Sequence, residues 1–186
     1  MTLLDELDQE GESEVLDWLS LLKSLTWAHG EVFARLNTEK SNELLKQSLD
    51  KPKNSFRMKA LEILIRRKRI DIQEVENILV ARLDKITIAD GMADVHRMVS
   101  GYRHKFTSDQ VKKKVLDNCL NGSSDVRFSS AQLAMFLYGL TTSINEPNHE
   151  KFCREFKSRD YENRKRAFDN LIEEIYLHEN PTKPST

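Results

Sequence analysis

The chain has few of the residues that form tight turns, cross-links or membrane spans. Of its 186 residues, six are glycine, four are proline and two are cysteine. So few turn formers disfavour a β-sheet protein, whose hairpins depend on them. The two cysteines, Cys119 and Cys153, are too few for a disulfide framework. No apolar run approaches the roughly 20 residues of a membrane helix, so we expect a helical protein with no membrane partner.

Basic residues are missing from the start of the chain. The first 18 residues contain no Lys or Arg and seven acidic residues: Asp5, Glu6, Asp8, Glu10, Glu12, Glu14 and Asp17. This start lacks the basic region of a secretory signal peptide, so we expect a cytoplasmic protein. The net charge of the whole chain is −1. Such a balance creates no overall field that would attract nucleic acid or anionic lipid.

The sequence shows no motif that carries chemistry. A glycine-rich phosphate loop, a serine nucleophile elbow, a zinc-protease motif and an EF-hand are all missing. His149 and Cys153 have the spacing of a ligand pair, but they share a helix face with two phenylalanines, and a structural metal usually takes four ligands. His96 and His104 lack a positioned acid–base partner. We therefore expect no enzyme activity, no metal and no cofactor.

Helical periodicity runs through almost the whole chain, whereas strict alternation is nearly missing. The pattern predicts an all-α protein of about ten helices. A long early helix is marked by five apolar residues: Val15, Trp18, Leu19, Leu22 and Leu25. The segment 126–140 is apolar on every side, and a helix of this kind is buried on most sides. We expect it at the centre of the fold or beneath a partner.

One later helix has recognisable ends in the sequence. Thr107 with Gln110 predicts a capping box at its start, in which side chains satisfy free backbone amides. Asn121 with Gly122 predicts its end, because glycine tolerates the left-handed conformation that closes a last turn.

A helical phrase recurs in the chain. It is found in three copies: Arg57-x-x-Ala60-x-x-x-Leu64, Arg164-x-x-Ala167-x-x-x-Leu171 and, more loosely, Arg127-x-x-Ser130-x-x-x-Ala134. Helices recur about every 35 residues, a period typical of stacked helical hairpins. The pattern predicts one domain over 1–179, with an acidic helical cap at 1–36 and four hairpins at 38–178. Residues 180–186 contain two prolines and are expected to form a flexible tail.

The segment Ser124-Asp125-Val126-Arg127, followed by Ser130 and Ala134, resembles the second-helix signature of HEAT repeats. The segment 56–60 with Leu64 is similar but lacks the aspartate, and 163–167 with Leu171 is similar but lacks the valine. The segment around Asp94 departs further, and the period is short for this family. The resemblance covers residues 38 to 178. It implies a HEAT-like α-solenoid that binds a partner on its concave face and has no catalytic residue.

These features favour a protein that acts by binding another protein. Our hypothesis is a bacterial immunity protein that neutralises a cognate toxin, as in contact-dependent growth inhibition. The solenoid would cover the toxin's active site, and carboxylates such as Asp5 and Glu6 would replace the phosphates that a nuclease toxin binds. The seven acidic residues of the first 18 positions are the predicted partner-binding residues. The predicted partner is a basic protein.

Other interpretations of the same charges stay open. Arg66 to Arg69 and Lys112 to Lys114 have the composition of a phosphate-contacting surface. A protein similar to the HEAT-like DNA glycosylases would place Arg66, Arg67, Lys112 and Arg164 in one basic groove. A third possibility is a scaffold subunit of a larger complex. The charges also have a purely structural interpretation, since acids favour helix N-termini and bases favour C-termini.

Overall fold

The computed structural model describes residues 8–22, 24–26, 28–50, 56–84, 92–101, 108–144 and 146–181. Within these ranges every regular element is an α-helix, which confirms the all-α fold class. The ten helices are α1 (Gln9–Leu21), α2 (His29–Arg35), α3 (Glu39–Asp50), α4 (Arg57–Arg66), α5 (Ile72–Leu83), α6 (Met92–Gly101), α7 (Asp109–Asn121), α8 (Ser124–Leu137), α9 (Pro147–Glu155) and α10 (Tyr161–Glu179). None of these helices is long and apolar enough to cross a bilayer.

The chain divides into two compact units, residues 1–71 and residues 72–186. Unit 1 contains α1 to α4, and unit 2 contains α5 to α10. The predicted single domain over 1–179, with its N-terminal cap and four hairpins, stays a prediction. Most of the predicted tail, residues 182–186, lies outside the described residues.

Helix α4 forms the centre of unit 1. It packs against α2 and α3, and α1 packs against α3. The rings of Phe33 and Phe56 meet in this core with their centroids 5.4 Å apart. Even Lys59 of α4 is buried, and its Nζ lies 3.4 Å from a carboxylate oxygen of Glu31. A helix this short is marginal in water, so its stability comes from packing on several sides.

Helix α8 is the central helix of unit 2, because α6, α7 and α9 all pack against it. Its buried residues are Val126, Ser130, Ala131, Leu133, Ala134, Met135, Phe136 and Leu137. The expected burial of this apolar helix is therefore confirmed. The segment is core, and it does not form an exposed binding surface.

The repeated phrase begins at the first residue of α4 and at the fourth residue of both α8 and α10. Its second and third residues are all fully buried: Ala60, Ser130 and Ala167, then Leu64, Ala134 and Leu171. Its arginines donate to backbone carbonyls that come shortly before their own helix in the chain. Arg57 donates to Leu49 near the end of α3, Arg127 to Gly122 at the end of α7 at 2.8 Å, and Arg164 to Arg159 in the connection before α10 at 2.8 Å. The last carbonyls of a helix have no partner within it. Arg57 and Arg127 therefore connect their own helix to the end of the one before, whereas Arg164 holds the connection that leads into α10.

The packing order in unit 2 changes along the chain. In the successive pairs α5–α6 and α7–α8, the first helix of each pair packs against the first helix of the other, α5 on α7. The second helices, α6 and α8, also pack against each other. In the last pair, α9 packs on α8 and α10 packs on α7. The order is thus exchanged at this end of the unit. A regular HEAT-like solenoid over 38–178 stays a proposal.

Helix α7 ends at Asn121 with Gly122 as its C-cap, as predicted, but both of its caps differ in detail from the prediction. Ser108 is the N-cap, and its Oγ accepts a hydrogen bond from the amide of Val111 at 3.4 Å. Thr107 lies outside the described residues. Gly122 has a φ of −69°, so the expectation of a left-handed conformation at this residue was wrong. A glycine is needed here for steric reasons instead, because an added Cβ would lie 2.7 Å from the carbonyl oxygen of Asn118.

Replacing Gly122 with alanine is expected to lower the free energy of unfolding by about 2 kcal/mol, because the new methyl group meets backbone that cannot move aside. Gly101→Ala is the matched control, since a Cβ at Gly101 has no atom within 4 Å. The control is expected to be neutral or to stabilise by up to about 1 kcal/mol, as alanine favours helix. Urea denaturation of both variants provides the measurement. Equal effects of the two substitutions would contradict the steric explanation.

Candidate functional site

Five of the seven acidic residues predicted to bind a partner are described by the structure, and Asp5 and Glu6 lie outside the described residues. Asp8 is the N-cap of α1, and its Oδ1 accepts a hydrogen bond from the amide of Gly11 at 2.9 Å. Glu12 lies in the first turn and is half-buried. Carboxylates in these positions stabilise a helix through the free amides and partial positive charge at its N-terminus. The structural interpretation is therefore sufficient for Asp8 and Glu12.

The other three acidic residues share one side of α1. Glu10, Glu14 and Asp17 are separated by four and three positions, and Leu21 follows after four more. Residues with this spacing lie above one another on a helix, and all four are exposed. Glu14 and Asp17 lie beyond the first turn, where the helix dipole no longer has a strong effect. Helix stability therefore accounts for Glu10, which lies in the first turn, but not for Glu14 and Asp17.

Two large apolar side chains border these carboxylates. Trp18 is 57% exposed and Leu21 is 80% exposed. The indole ring of Trp18 lies beside the imidazole of His29, with ring centroids 6.4 Å apart. Tryptophan is among the residues that most often dominate the binding energy of an interface. We refer to Glu10, Glu14, Asp17, Trp18 and Leu21 together as the α1 surface.

The opposite side of α1 holds the helix on α3. Leu16 and Leu19 are buried, and α1 packs against α3. Lys40 of α3 places its Nζ 2.8 Å from Oδ1 of Asp17 and 3.1 Å from Oγ of Ser13. The carboxylate of Asp17 nevertheless remains largely exposed. Because α1 is already fixed, a partner would order little additional backbone on binding.

The sequence analysis did not identify Trp18 and Leu21 as surface residues. It assigned Trp18 to the apolar face of a helix that reached Leu25. That boundary was wrong, because α1 ends at Leu21 and Leu22 has an extended conformation with ψ 131°. Leu25 is buried outside any helix. The spacing of four, three and four from Glu10 to Leu21 is the signal that marks the exposed side.

His29 makes a local hydrogen bond, and His96 is largely buried. His29 is the first residue of α2, and its Nδ1 accepts a hydrogen bond from the amide of Thr26 at 2.9 Å. His96 of α6 has a buried Nε2 with no hydrogen-bond partner among the described residues. Burial lowers the pKa of His96 to about 4, against the opposing effect of a hydrogen bond to the backbone of Ser129. His104 lies outside the described residues.

Cys153 is a core residue. Its Sγ lies 3.6 Å from Sδ of Met135, and the rings of Phe152 and Phe156 meet edge to face on the same helix end. Burial raises the pKa of Cys153 to about 12, so the thiolate that would bind a metal is disfavoured. Among the side chains that the structure describes, no three or more potential ligands come together around a metal-sized site.

Two arginines of the proposed basic groove are engaged within the protein. Arg67 donates to Oδ1 of Asn42 at 2.7 Å and to the carbonyl oxygen of Leu36 at 3.2 Å. Burial is the main cause that lowers its pKa. Arg164 donates to the carbonyl oxygen of Ser158 at 3.2 Å. These guanidinium groups therefore satisfy backbone and side-chain acceptors.

Four other basic residues of the phosphate-contact hypothesis also have local partners: Arg66, Arg69, Lys112 and Lys114. The ion pairs are Arg66 with Glu62, Arg69 with Glu39, and Lys114 with Asp84 and Asp117. Lys112 places its Nζ 4.6 Å from the ring centroid of Tyr138. The hydrogen bond to Asp84 is the main cause that raises the pKa of Lys114. A phosphate would have to compete with these partners.

Comparison of the chain with protein-family models, with curated proteins and with solved structures gave no match. The resemblance to HEAT repeats accordingly depends on the residues of the repeated phrase alone. The α1 surface is the feature on which we base a function.

Proposed function

We propose that this protein inhibits a basic protein by binding it through the α1 surface. The observation that carries the proposal is the exposure of Trp18 and Leu21 beside a row of carboxylates on one fixed helix. Exposed apolar side chains supply binding free energy when a partner removes them from water. The carboxylates accelerate the approach of a basic partner and disfavour acidic ones.

The specific partner that we propose is a cognate toxin, and the protein would then be an immunity protein of the kind found in contact-dependent growth inhibition. Glu10, Glu14 and Asp17 lie about 6 and 4.5 Å apart along the helix axis. Their carboxylates would occupy the basic groups with which a nuclease toxin binds phosphates. Inhibition would be steric and electrostatic, since the bound helix covers the active site.

The scaffold that we propose for this function is HEAT-like. The arginines of the repeated phrase in α4, α8 and α10 each donate to a backbone carbonyl that lies five to eight residues earlier in the chain, before their own helix. The same phrase also places its two small or apolar residues in the core each time. Repeated contacts of this kind support a fold assembled from related helical pairs.

The first test uses the tagged full-length protein to capture partners from its native cytoplasm in moderate salt. The affinity of the protein for each captured partner is then measured. A basic protein is expected to be retained, and Trp18→Ala is expected to weaken its binding about 30-fold, or about 2 kcal/mol. Ile72→Ala is a matched control, because Ile72 is also a partly exposed apolar helical residue but lies on α5. Equal affinity of Trp18→Ala and wild type would contradict the proposal.

The charge contribution is tested separately with Glu14→Lys. This variant is expected to bind more slowly, and the difference should shrink as salt rises and screens the charges. Glu155→Lys makes the same charge change at an exposed position of α9 and is expected to bind as wild type. The wild-type protein should protect cells that produce the toxin. The double variant that combines Glu14→Lys with Trp18→Ala should protect them less. Retention of nucleic acid that is lost steeply with salt would favour the nucleic-acid hypothesis instead.

A further inference from the structure

Trp18 of the α1 surface lies against a second helix. Its indole ring lies beside the imidazole of His29, the first residue of α2, with ring centroids 6.4 Å apart and ring planes inclined by 49°. Aromatic rings attract each other in such tilted arrangements when their centroids are about 4.5–7 Å apart. Trp18 is nevertheless 57% exposed. The imidazole therefore restricts the indole and leaves more than half of its surface open to a partner.

Hydrogen bonds to Thr26 fix the imidazole ring of His29. The backbone amide of Thr26 donates to Nδ1 of His29 at 2.9 Å, and Oγ1 of Thr26 lies at the same distance from Nδ1. In return, the amide of His29 donates to the carbonyl oxygen of Thr26 at 3.1 Å. These bonds close the turn before α2 in the manner of a capping box, in which a side chain accepts the backbone amide three residues earlier. The orientation of the ring is thereby set relative to the backbone of this turn.

The two helices that carry this ring pair are each held within unit 1. On α2, Gly30 and Phe33 are buried, and the helix packs against α4. The backbone at Gly30 approaches α4 so closely that an added Cβ would lie 2.5 Å from Cγ of Lys59. Helix α1 packs against α3. Trp18 and His29 are therefore attached to backbone whose place is fixed before any partner binds.

We infer that His29 is a positioning residue of the α1 surface, whose imidazole keeps the indole of Trp18 in the orientation that binds a partner. Because the binding of a partner at this surface is itself the proposed function, the role assigned to His29 rests on that function. Ordering a free side chain costs conformational entropy on binding. An indole that is already restricted loses less entropy, so the complex is tighter. The ring of His29 should restrict Trp18 in the free protein as well.

The substitution His29→Gln removes the ring and keeps the hydrogen bond. The side-chain oxygen of glutamine accepts the amide of Thr26, as it does in a capping box, so urea denaturation should give the stability of wild type. His29→Phe does the reverse, because it keeps an aromatic ring and has no acceptor for this amide. His178→Gln is the matched control, since it makes the same chemical change at an exposed position of α10. A histidine that served only to close the turn would make His29→Phe the more damaging variant for binding, whereas a positioning residue makes His29→Gln the more damaging one.

The mobility of Trp18 in the free protein is the first measurement. The chain has two tryptophans, so the indole signal that is lost in Trp18→Phe identifies Trp18. In wild type and in His178→Gln, NMR relaxation of this indole N–H should show a restricted side chain, with nuclear Overhauser contacts to the ring protons of His29. In His29→Gln its order parameter should fall below about 0.6, the range of flexible groups. An indole that is equally mobile in wild type and His29→Gln would overturn the inference, and this result needs no partner.

The affinity for the captured basic protein is the second measurement. His29→Gln should weaken binding about three- to tenfold, and His29→Phe less. In a Trp18→Ala background, His29→Gln should have no further effect, because His29 acts through Trp18. A further loss in that background would show that His29 binds the partner directly and would overturn its positioning role. Equal affinity of Trp18→Ala and wild type would instead contradict the proposed function, while the relaxation measurement would still test the contact between the two rings.

Discussion

Replacing Arg67 with methionine is expected to lower the free energy of unfolding by about 3 kcal/mol. The guanidinium group of Arg67 connects the end of α4 to α2 and α3. Its acceptors are Oγ of Ser41 at 3.1 Å, Oδ1 of Asn42 at 2.7 Å, the carbonyl oxygen of Leu36 at 3.2 Å and the carbonyl oxygen of Phe33. Ser41 and Asn42 are buried. Methionine would fill the space of the aliphatic stem and leave these acceptors without their donor, which is costly for buried polar groups.

The adjacent arginine provides the control. Arg66 is 52% exposed and forms one ion pair, 3.4 Å from Glu62. Exposed pairs of this kind contribute little, so Arg66→Met should change the free energy of unfolding by about 0.5 kcal/mol or less. Arg67→Lys should lose most of what methionine loses, because one ammonium group cannot reach acceptors spread around a planar fork. Urea denaturation of the three variants gives the comparison. If Arg66→Met and Arg67→Met were equally stable, Arg67 would not have the structural role assigned to it.

Arg67 also shows where sequence-based reasoning ends. In the sequence it is one of four consecutive bases, and all four were candidates for phosphate contact. The structure ends α4 with Lys68 in the left-handed conformation, at a φ of 56°, and the amide of Arg69 donates to the carbonyl of Leu64 at 2.9 Å. This is the hydrogen bond of a Schellman motif, usually closed by glycine. No glycine marks it here, so the inward position of Arg67 could not be predicted.

Other features were predictable because they depend on local pattern. The burial of α8 follows from its own composition, since a helix with no polar side must be covered. The all-α class follows from periodicity that extends through most of the chain. The exposure of Trp18 is different, because it depends on which side of α1 packs against α3. The sequence identified the carboxylates of the α1 surface and missed its apolar residues for that reason.

His96 is expected to make the protein less stable as the solution becomes acidic. Burial lowers the pKa of its imidazole to about 4, compared with the ordinary value of 6.5. As the pH falls below about 6.5, the unfolded chain therefore takes up a proton that the folded protein does not. Stability is lost as pH decreases through this window, and the loss from His96 is complete below about pH 4.

The size of this pH effect on stability is set by the one extra proton that the unfolded chain binds at His96. Between about pH 7 and about pH 5, the free energy of unfolding should fall by about 2 kcal/mol because of His96 alone. This interval lies above the range in which most carboxylates titrate, so their contribution is small. His96→Gln removes the titrating group, and its stability should depend less on pH over the same interval even if its stability at neutral pH changes. Urea denaturation at both pH values measures the two slopes, and NMR titration of the imidazole protons measures the pKa directly. Parallel slopes for wild type and variant, or an imidazole that titrates above about pH 6, would show that the ring is not held neutral by burial.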